Sequence, residues 1–378
     1  MKRSLIAMIL VGGKGSRLNE ITKDTAKPAV SFGAKYRLID FTLSSLSYSN
    51  IDVVGLITQY EPYELMNYIG NGGSWDLDTI EGGVSFLTPY AKSGEVQWQK
   101  GTAHAISQYF NFVKQYQADH VLILAGDHIY KMDYQKMFEH HLKMNSDITI
   151  ASVDVPQNEA TRFGIIDYDA DTSIKSFQEK PEQPKSLHAS MGIYLFKTAV
   201  LEYLLKDVEH GESLDFGINV IPRAHNEKFR LYAYPFKGYW RDVGTIESLF
   251  QANMDMLDDP AYLDLNLSKG IQIYSKSMNL PPHIVLEDGM IKNSVIADGC
   301  IIDGTVLHST VGYQTVVMKN SVIENCVLLP STFVSENVYL KNVIVNKGVI
   351  IPSNYRLIAK EITVIDSSNL SEAGEIDE

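Results

Sequence analysis

A repeat with a period of 16 residues runs through the last third of this 378-residue chain. Three series of apolar residues carry it: Val295, Val311, Val327 and Val343; Ile301, Val317, Phe333 and Val349; Met290, Val306, Val322 and Val338. The series are offset by five or six residues, so each repeat contains three short apolar strands. Because successive coils of a solenoid bury equivalent side chains on one another, this spacing predicts a triangular parallel β-helix over residues 283–366. An antiparallel sandwich would not keep a fixed spacing through three successive repeats.

The first 257 residues have a different pattern, in which short apolar runs alternate with amphipathic stretches. The runs cover residues 6–11, 53–58, 121–125, 147–154, 192–196 and 230–235. Two stretches predict helices: 103–116, which Thr102 can cap, and 134–144. Strands separated by helices predict an α/β domain with a mainly parallel sheet over 1–257, whose ligands bind beyond the carboxyl ends of the strands. Residues 258–282 are predicted to be a linker, and the acidic tail 367–378 is predicted to be frayed.

Composition and charge exclude several classes of protein. Lys and Arg number 33 against 46 Asp and Glu, and the resulting charge of −13 argues against a nucleic-acid or anionic-membrane partner. Two cysteines, Cys300 and Cys326, cannot form a disulfide framework, so a reduced, cytoplasmic protein is expected. The apolar run after Lys2 and Arg3 is short and is followed by glycines, so we interpret it as a buried strand and not as a signal peptide. No run approaches the roughly 18 apolar residues of a membrane span.

Three glycines follow the first predicted strand, in Gly12-Gly13-Lys14-Gly15-Ser16-Arg17-Leu18. The segment is neither a Walker loop, which ends in Gly-Lys-Ser/Thr, nor a dinucleotide fingerprint, whose third glycine is missing. Its backbone N–H groups can still approach a polyphosphate closely, and Lys14, Arg17 and Lys27 add positive charge. A glycine-rich turn after a strand is also common without a ligand, and the segment alone does not decide between the two.

Two aspartates lie where a metal ion and phosphates could be held. Asp127 follows the apolar run 121–125, and Asp242 lies in a polar segment before a helix that starts at Ile246. Both could bind one Mg²⁺ if the fold brings them together. The alternative for Asp127 is an N-cap that opens the next helix. We interpret His128 as structural.

A Lys–Glu pair, Glu179-Lys180 before Pro181, has two interpretations. It could be a solvated turn. It could also hold a sugar hydroxyl with the carboxylate and a sugar phosphate with the ammonium, with Ser190 shortly after it in the chain.

Taken together, these motifs resemble the bacterial glucose-1-phosphate adenylyltransferases, also called ADP-glucose pyrophosphorylases, over essentially the whole chain. The matching segments are GGKGSRL at 12–18, AKPAV at 26–30, YRLIDFTLS at 36–44, ITQY at 57–60, LAGDHIYKMDY at 124–134, RFGI at 162–165, EKP at 179–181, SMGIY at 190–194 and YWRDVGT at 239–245. The resemblance implies a nucleotidyltransferase domain, Rossmann-like, followed by a left-handed β-helix. It also implies that ATP and α-D-glucose 1-phosphate are converted into ADP-glucose and pyrophosphate, the entry step of bacterial glycogen synthesis.

The resemblance further implies roles for individual residues. Asp127 and Asp242 would hold Mg²⁺, and Arg17 and Lys27 would bind oxygens of the departing pyrophosphate. The residues implied at the ATP site are Gly12, Gly13, Gly15, Gly101 and Thr102. Those implied for glucose 1-phosphate are Gln99, Gly164, Glu179, Lys180 and Ser190. Gln59 and Trp98 match loop positions that the family uses to relay activator binding.

Five positions depart from the family pattern. Ser16 stands where Thr is usual, Thr25 where Arg is usual, and Ile218 where Lys is usual. Gln99 stands where the family has Tyr or Phe, and Asp24 where enteric members carry an activator-binding Lys. Ser16 is a mild change, and Asp24 argues against activation in the enteric style. Thr25, Gln99 and Ile218 predict weaker sugar-phosphate binding or dependence on a partner subunit.

Two other functions remain open at this point. A sister nucleotidyltransferase would use UTP, dTTP or GTP, and only the resemblance favours ATP. A regulatory subunit would assemble with a catalytic paralogue, but such homologues usually lose the glycine segment and the Asp-His motif, and both are intact here. Because the exposed end of a β-helix needs cover, we expect a homotetramer or a heterotetramer with a paralogous subunit.

Overall fold

The computed structural model contains a mixed sheet of nine strands and a stack of short parallel strands, which belong to different units of the chain. The structure describes residues 3–13, 15–23, 25–59, 62–89, 91–92, 95–96, 98–206, 214–258 and 270–370. The first of two units contains Met1–Gly13, Thr42–Gly126 and Lys131–Trp240, and the second contains Lys14–Phe41, Asp127–Tyr130 and Arg241–Glu378. Parts of the predicted linker and tail lie outside the described residues, and the predicted domain boundaries stay a prediction.

Each of the six predicted apolar runs forms a strand of the large sheet in the first unit. The nine strands are β1 Leu5–Leu10, β2 Val53–Ile57, β3 Gly83–Leu87, β4 His120–Ala125, β5 Ile148–Asp154, β6 Gly164–Tyr168, β7 Ile174–Glu179, β8 His188–Lys197 and β9 Leu231–Pro235. Strands β3, β2, β1 and β4 are parallel neighbours in that order. Strand β8 runs antiparallel to both β4 and β5, and β9 is parallel to β5. The interiors of β1, β2 and β4 are apolar and buried throughout, as expected of parallel strands covered on both faces.

Helices of the first unit cover its sheet with their apolar faces. The α-helices of the described residues, in the two units taken together, are α1 Leu38–Tyr48, α2 Pro62–Ile69, α3 Thr102–Gln108, α4 Phe110–Gln115, α5 Tyr134–Lys143, α6 Thr198–Leu205, α7 Ile221–Asn226 and α8 Ile246–Asp258. Ile106 of α3 and Leu201 of α6 belong to the same buried cluster as Ile6 and Ile123 of the sheet. Among the described residues, none of the helices combines the length and the hydropathy needed to cross a membrane.

The predicted helix 103–116 is wrong in two respects. It divides at Tyr109 into α3 and α4, and Thr102 is the first residue of α3 and not its cap. The backbone N–H and the hydroxyl of Thr102 both donate to Oδ1 of Asp215, each at 2.9 Å. The helix start is therefore satisfied by a carboxylate from a distant part of the chain, which no local pattern could reveal.

The N-cap interpretation of Asp127 is also wrong. A short strand, His128–Tyr130, follows Asp127, and the next helix is α5. Asp133 caps α5, because its side chain accepts a hydrogen bond from the backbone N–H of Gln135 at 3.0 Å.

Parallel strands two to ten residues long stack in the second unit as the predicted β-helix. They are β10 Ile284–Val285, β11 Met290–Lys292, β12 Val295–Ile296, β13 Ile301–Ile302, β14 Thr305–Leu307, β15 Thr310–Val311, β16 Val316–Val317, β17 Val322–Glu324, β18 Val327–Leu328, β19 Phe333–Val334, β20 Tyr339–Val345, β21 Ile350–Ile351 and β22 Arg356–Ile365. They form two sheets, one of five strands and one of eight, and the neighbouring strands in both sheets are parallel.

The period of 16 is wrong, because it averages coils of 15 and 17 residues. Ile301 pairs with Val316 at a spacing of 15, and Val316 pairs with Phe333 at a spacing of 17. Since side chains alternate along a strand, an error of one residue exchanges the inner and outer faces. Ile301 and Phe333 are accordingly 39% and 38% exposed, while their neighbours in the strands are buried. Cys300 and Cys326 are free thiols in the β-helix core.

Candidate active site

Lys27 lies between two aspartates in the second unit. Its Nζ atom is 2.7 Å from Oδ2 of Asp127 and 3.1 Å from Oδ1 of Asp242. Lys27 is the first residue of a short 3₁₀ helix, Lys27–Ala29, and its side chain is only 8% exposed. The ammonium group therefore bridges two carboxylates in a largely buried place.

The ends of two strands bring the carboxylates together. Asp127 follows β4 by two residues in the chain, and the strand His128–Tyr130 pairs with the short strand Trp240–Asp242. Side-chain oxygens of Asp127 and Asp242 and a ring nitrogen of His128 lie within 4.8 Å of one another. The two aspartates thus meet as a shared metal site requires, and their metal-binding role stays a prediction.

Charge pairing outweighs burial in this cluster. Burial would lower the pKa of the Lys27 ammonium, but Asp127 and Asp242 raise that pKa above its ordinary value. Burial would raise the pKa of the Asp127 carboxyl, but Lys27 and His128 hold it below its usual range. Burial would likewise raise the pKa of the Asp242 carboxyl, but His128, Lys27 and Arg17 lower it below its usual range. Both carboxylates and the ammonium are therefore charged at neutral pH.

Arg17 adds a second cation beside Asp242. It is exposed in the 3₁₀ helix Ser16–Thr22. A Cβ atom at Gly244 would lie 3.1 Å from Nη2 of Arg17 and 3.1 Å from Oδ2 of Asp242, so both groups face the same backbone position. The structure therefore brings together all four residues that were predicted to be catalytic.

Gly15 is required beside this cluster for two reasons. Its φ of +61° is left-handed, which favours glycine. A Cβ there would also come within 3.1 Å of the Lys27 Cβ. A side chain at this position would strain the backbone and push against the buried lysine.

In the first unit, beside Gly12, the side chains of Gln59 and Gln99 each donate a hydrogen bond to the backbone of the segment that contains the other. Nε2 of Gln59 donates to the carbonyl of Gln99 at 3.3 Å, and Nε2 of Gln99 donates to the carbonyl of Thr58 at 3.1 Å. A Cβ at Gly12 would lie 2.9 Å from the Gln59 Cβ and 3.2 Å from Oε1 of Gln99. Gln59, predicted to relay activator binding, thus contacts Gln99, predicted to bind glucose 1-phosphate, and lies beside Gly12, predicted to bind ATP.

The Glu179 carboxylate lies against two glycines in the first unit. Gly164 of β6 pairs with Glu179 of β7, and a Cβ at Gly164 would lie 2.9 Å from Oε2 of Glu179. A Cβ at Gly217 would collide with the same oxygen. Lys180 extends beside it, with Nζ 3.7 Å from Oε1 of Glu179 and the side chain 64% exposed. The absence of a Cβ at both glycines leaves room for this carboxylate.

Tyr194 lies among the residues predicted for glucose 1-phosphate. Its ring stacks on Phe216 with the centroids 5.3 Å apart, and its hydroxyl is hydrogen-bonded to Ser190. Burial raises the pKa of Tyr194 to about 12, and the charges of Glu179 and Asp215 act in the same direction. Tyr194 therefore stays a neutral phenol.

Gly101 and Thr102 are held by the segment that contains Asp215. A Cβ at Gly101, whose φ is +116°, would lie 2.5 Å from the carbonyl oxygen of Leu214. The Thr102 hydroxyl accepts from the backbone N–H of Phe216 at 3.1 Å while it donates to Asp215. Sequence reasoning noted that Ile218 follows Asp215-Phe216-Gly217 but assigned no role to Asp215.

Of the remaining predicted residues, three are in open or exposed places and two lie outside the described residues. A Cβ at Gly13 would meet nothing within 4 Å. The side chains of Trp98 and Ile218 are exposed. Lys14 and Asp24 lie outside the described residues.

Comparison with known proteins agrees with this fold. The nucleotidyl transferase family matches residues 6–259, and the GlmU-like C-terminal hexapeptide family matches residues 283–361. The chain is 52% identical over 297 residues to the glucose-1-phosphate adenylyltransferase of Bacillus thuringiensis (strain Al Hakam), covering 78% of this chain and 79% of the relative. It is 49% identical over 352 residues to that of Bacillus cytotoxicus, covering 93% of each.

The sheet, the paired aspartates and the first family match define the class as nucleotidyltransferase, a class that generally uses a divalent metal ion. The second match agrees with the predicted left-handed β-helix, so the predicted fold is confirmed. Within this class, the chain belongs to the glucose-1-phosphate adenylyltransferase family. The resemblance found in the sequence is therefore confirmed.

Proposed function

We propose that the chain transfers the adenylyl group of ATP to α-D-glucose 1-phosphate in the cytoplasm, giving ADP-glucose and pyrophosphate for glycogen synthesis. The observation that carries the proposal is the Lys27–Asp127–Asp242 cluster, which supplies the charges that a phosphoryl-type transfer requires. The names of the relatives supply the substrates.

The transfer requires neither a general base nor a covalent intermediate. A phosphate oxygen of glucose 1-phosphate is already anionic at neutral pH and attacks the α-phosphorus of ATP. A bond forms there, while the bond from the α-phosphorus to the bridging oxygen breaks and its electron pair leaves with pyrophosphate. The protein aligns the two substrates and neutralises the charge on the leaving group.

Asp127 and Asp242 would hold Mg²⁺, because carboxylate oxygens are the ligands that this ion prefers. The donor set fits, since two carboxylates converge at a place that already accommodates the ammonium group of Lys27. When bound, the ion neutralises charge on the phosphates of ATP. Arg17 and Lys27 would bind oxygens of the departing pyrophosphate, and the backbone at Gly12, Gly13 and Gly15 would approach the ATP phosphates.

The sugar phosphate would bind at Glu179 and its neighbours. The Glu179 carboxylate accepts hydrogen bonds from sugar hydroxyls, and the exposed ammonium of Lys180 pairs with the phosphate. Gly164 and Ser190 line the same place, and Tyr194 can contribute a neutral hydroxyl.

Gly217→Ala is expected to raise the KM for glucose 1-phosphate by about tenfold, because the added Cβ displaces the Glu179 carboxylate. The KM for ATP should stay near that of the wild type. Gly73→Ala is a matched control, since the atoms nearest its Cβ would belong to the exposed side chains of Asp78 and Asn71, at 3.2 Å or more. Initial rates at varied glucose 1-phosphate measure the effect. An unchanged KM in Gly217→Ala would remove Glu179 from the sugar site.

Pyrophosphate release by the purified chain tests the function directly. The assay contains Mg²⁺ and glucose 1-phosphate, and it compares ATP with UTP, dTTP and GTP. We expect turnover with ATP alone. Turnover with another nucleotide would assign the chain to a sister specificity. No pyrophosphate release with any of the four nucleotides would favour a regulatory subunit. Thr25, Gln99 and Ile218 would then be the first positions to change back to the residues usual in the family.

We also propose that the chain assembles as a homotetramer, or as a heterotetramer with a paralogous subunit. The first coil of the β-helix supports this proposal, because several apolar side chains there are exposed. They are Ile284, Val285, Leu286 and Met290. Such an edge is usually covered by a neighbour.

A further inference from the structure

Asn253, in the middle of α8, joins three parts of the second unit. It is fully buried. Its Oδ1 accepts hydrogen bonds from the backbone N–H of Gly33 at 3.0 Å and from the hydroxyl of Thr310 at 3.2 Å. Its Nδ2 donates to the carbonyl of Leu249 at 2.8 Å. Both polar atoms of this buried amide are therefore engaged.

Two of these bonds lead to the segments that carry Lys27 and Asp242. Gly33 lies in the turn between the paired strands Ser31–Phe32 and Tyr36–Arg37, six residues after Lys27. Helix α8, which contains Asn253, begins four residues after Asp242. A Cβ at Gly33 would lie only 3.1 Å from the sulfur of Met256, so the turn is also in tight contact with α8.

The third bond leads into the β-helix. Thr310 is buried in β15, and its hydroxyl points to the same amide oxygen that holds the Gly33 turn. A second contact of this kind involves Asn346, whose Nδ2 donates to the carbonyl of Glu20 at 3.1 Å. Glu20 lies in the 3₁₀ helix that carries Arg17. The β-helix thus contacts the segments that carry both predicted cations.

We propose that Asn253 and Thr310 are positioning residues, through which the β-helix fixes the spacing between Lys27 and Asp242. The inference rests on the proposed function, because that spacing matters only if the cluster acts on ATP. Thr310 and Gly33 donate to the same amide oxygen from opposite segments, so loss of the Thr310 hydroxyl removes the bond that ties Asn253 and the Gly33 turn to the β-helix. A shift of α8 or of the Gly33 turn would change the distance from ammonium to carboxylate, and transfer reactions are sensitive to displacements below about 1 Å.

Thr310→Val removes the hydroxyl with little change of shape. We expect kcat to fall about tenfold, with the KM for glucose 1-phosphate unchanged. Thr310→Ser keeps the hydroxyl and should restore kcat. The matched control is Ser321→Ala, which removes a buried β-helix hydroxyl that donates to Ser335 at 2.7 Å and accepts from Val338 at 3.0 Å. This control should lose thermal stability and keep the wild-type kcat.

A second readout separates failure of the inference from failure of the proposed function. We expect the rise in unfolding midpoint caused by Mg²⁺ with ATP to be smaller in Thr310→Val than in the wild type, and unchanged in Ser321→Ala. A wild type without turnover would refute the proposed function, and the midpoint comparison would still decide the positioning role. The positioning role would be overturned if Thr310→Val kept both the wild-type kcat and the wild-type rise in unfolding midpoint. It would also be overturned if Ser321→Ala lost as much kcat and as much of the midpoint rise as Thr310→Val.

Discussion

Replacing Asp127 with Asn is expected to lower kcat by a factor on the order of 10³ while the fold is kept. The substitution preserves the size of the side chain and removes the charge that lies 2.7 Å from Nζ of Lys27. The fold is kept because Asp242 still pairs with the buried ammonium, which does not become an isolated charge. Transfer slows because one of the two carboxylates proposed to hold Mg²⁺ is missing. Pyrophosphate release at saturating substrates and the unfolding midpoint measure the two effects.

Asp133→Asn makes the same chemical change six residues further along the chain and is the matched control. Asp133 caps α5 through a 3.0 Å bond from the backbone N–H of Gln135, and asparagine caps helices about as well as aspartate. This variant should therefore match the wild type in kcat and in unfolding midpoint. If Asp127→Asn also turned over at the wild-type rate, Asp127 would have no part in the mechanism.

The sequence predicted the positions of the candidate site residues along the chain better than it predicted which of their side chains come into contact. Asp127 follows an apolar run, so the strand pattern alone placed it at a candidate position. Asp242 lies in a polar segment that was not predicted to be a strand, although the structure shows the short strand Trp240–Asp242 there. That they share one cation depends on the pairing of His128–Tyr130 with Trp240–Asp242. Such a pairing joins segments more than 100 residues apart, and nothing in either segment specifies its partner.

The β-helix was predicted from periodicity, but its register was not. Valine and isoleucine occupy both faces of these short strands, so an apolar series cannot distinguish a spacing of 16 from a mixture of 15 and 17. Residues at the turns between the short strands indicate the length of a coil better than the apolar residues do. Asn320, Asn337 and Asn354 recur every 17 residues, and all three have the positive φ that asparagine tolerates.

Buried polar contacts were the least predictable feature. Asn253 reads as an ordinary polar residue of an amphipathic helix, yet it is buried because Gly33 and Thr310 supply its hydrogen bonds. Asp215 likewise satisfies the start of α3 from more than 100 residues away. In both cases the partner that satisfies the polar group comes from tertiary structure, and for Asn253 it also makes burial of the amide favourable.

Replacing Lys27 with Met is expected to lower the free energy of unfolding by about 3 kcal/mol, because two partly buried carboxylates lose the ammonium between them. It should also lower kcat by a factor on the order of 10³, since the cation proposed to bind the leaving pyrophosphate is lost. Mg²⁺ alone should then raise the unfolding midpoint more in Lys27→Met than in the wild type, because Asp127 and Asp242 are free to bind it. Thermal unfolding with and without Mg²⁺ measures this difference.

Lys197→Met is the control for loss of a lysine that bridges two groups. Nζ of Lys197 contacts Asp147 at 2.9 Å and Asn145 at 3.1 Å, but Asp147 keeps the guanidinium of Arg230 at 2.7 Å when this lysine is removed. The variant should therefore retain wild-type kcat and most of its stability, with no added response to Mg²⁺. An equal response to Mg²⁺ in Lys27→Met and in the wild type would mean that the ammonium and the ion do not compete for the same carboxylates. The metal site would then have to be sought away from Lys27.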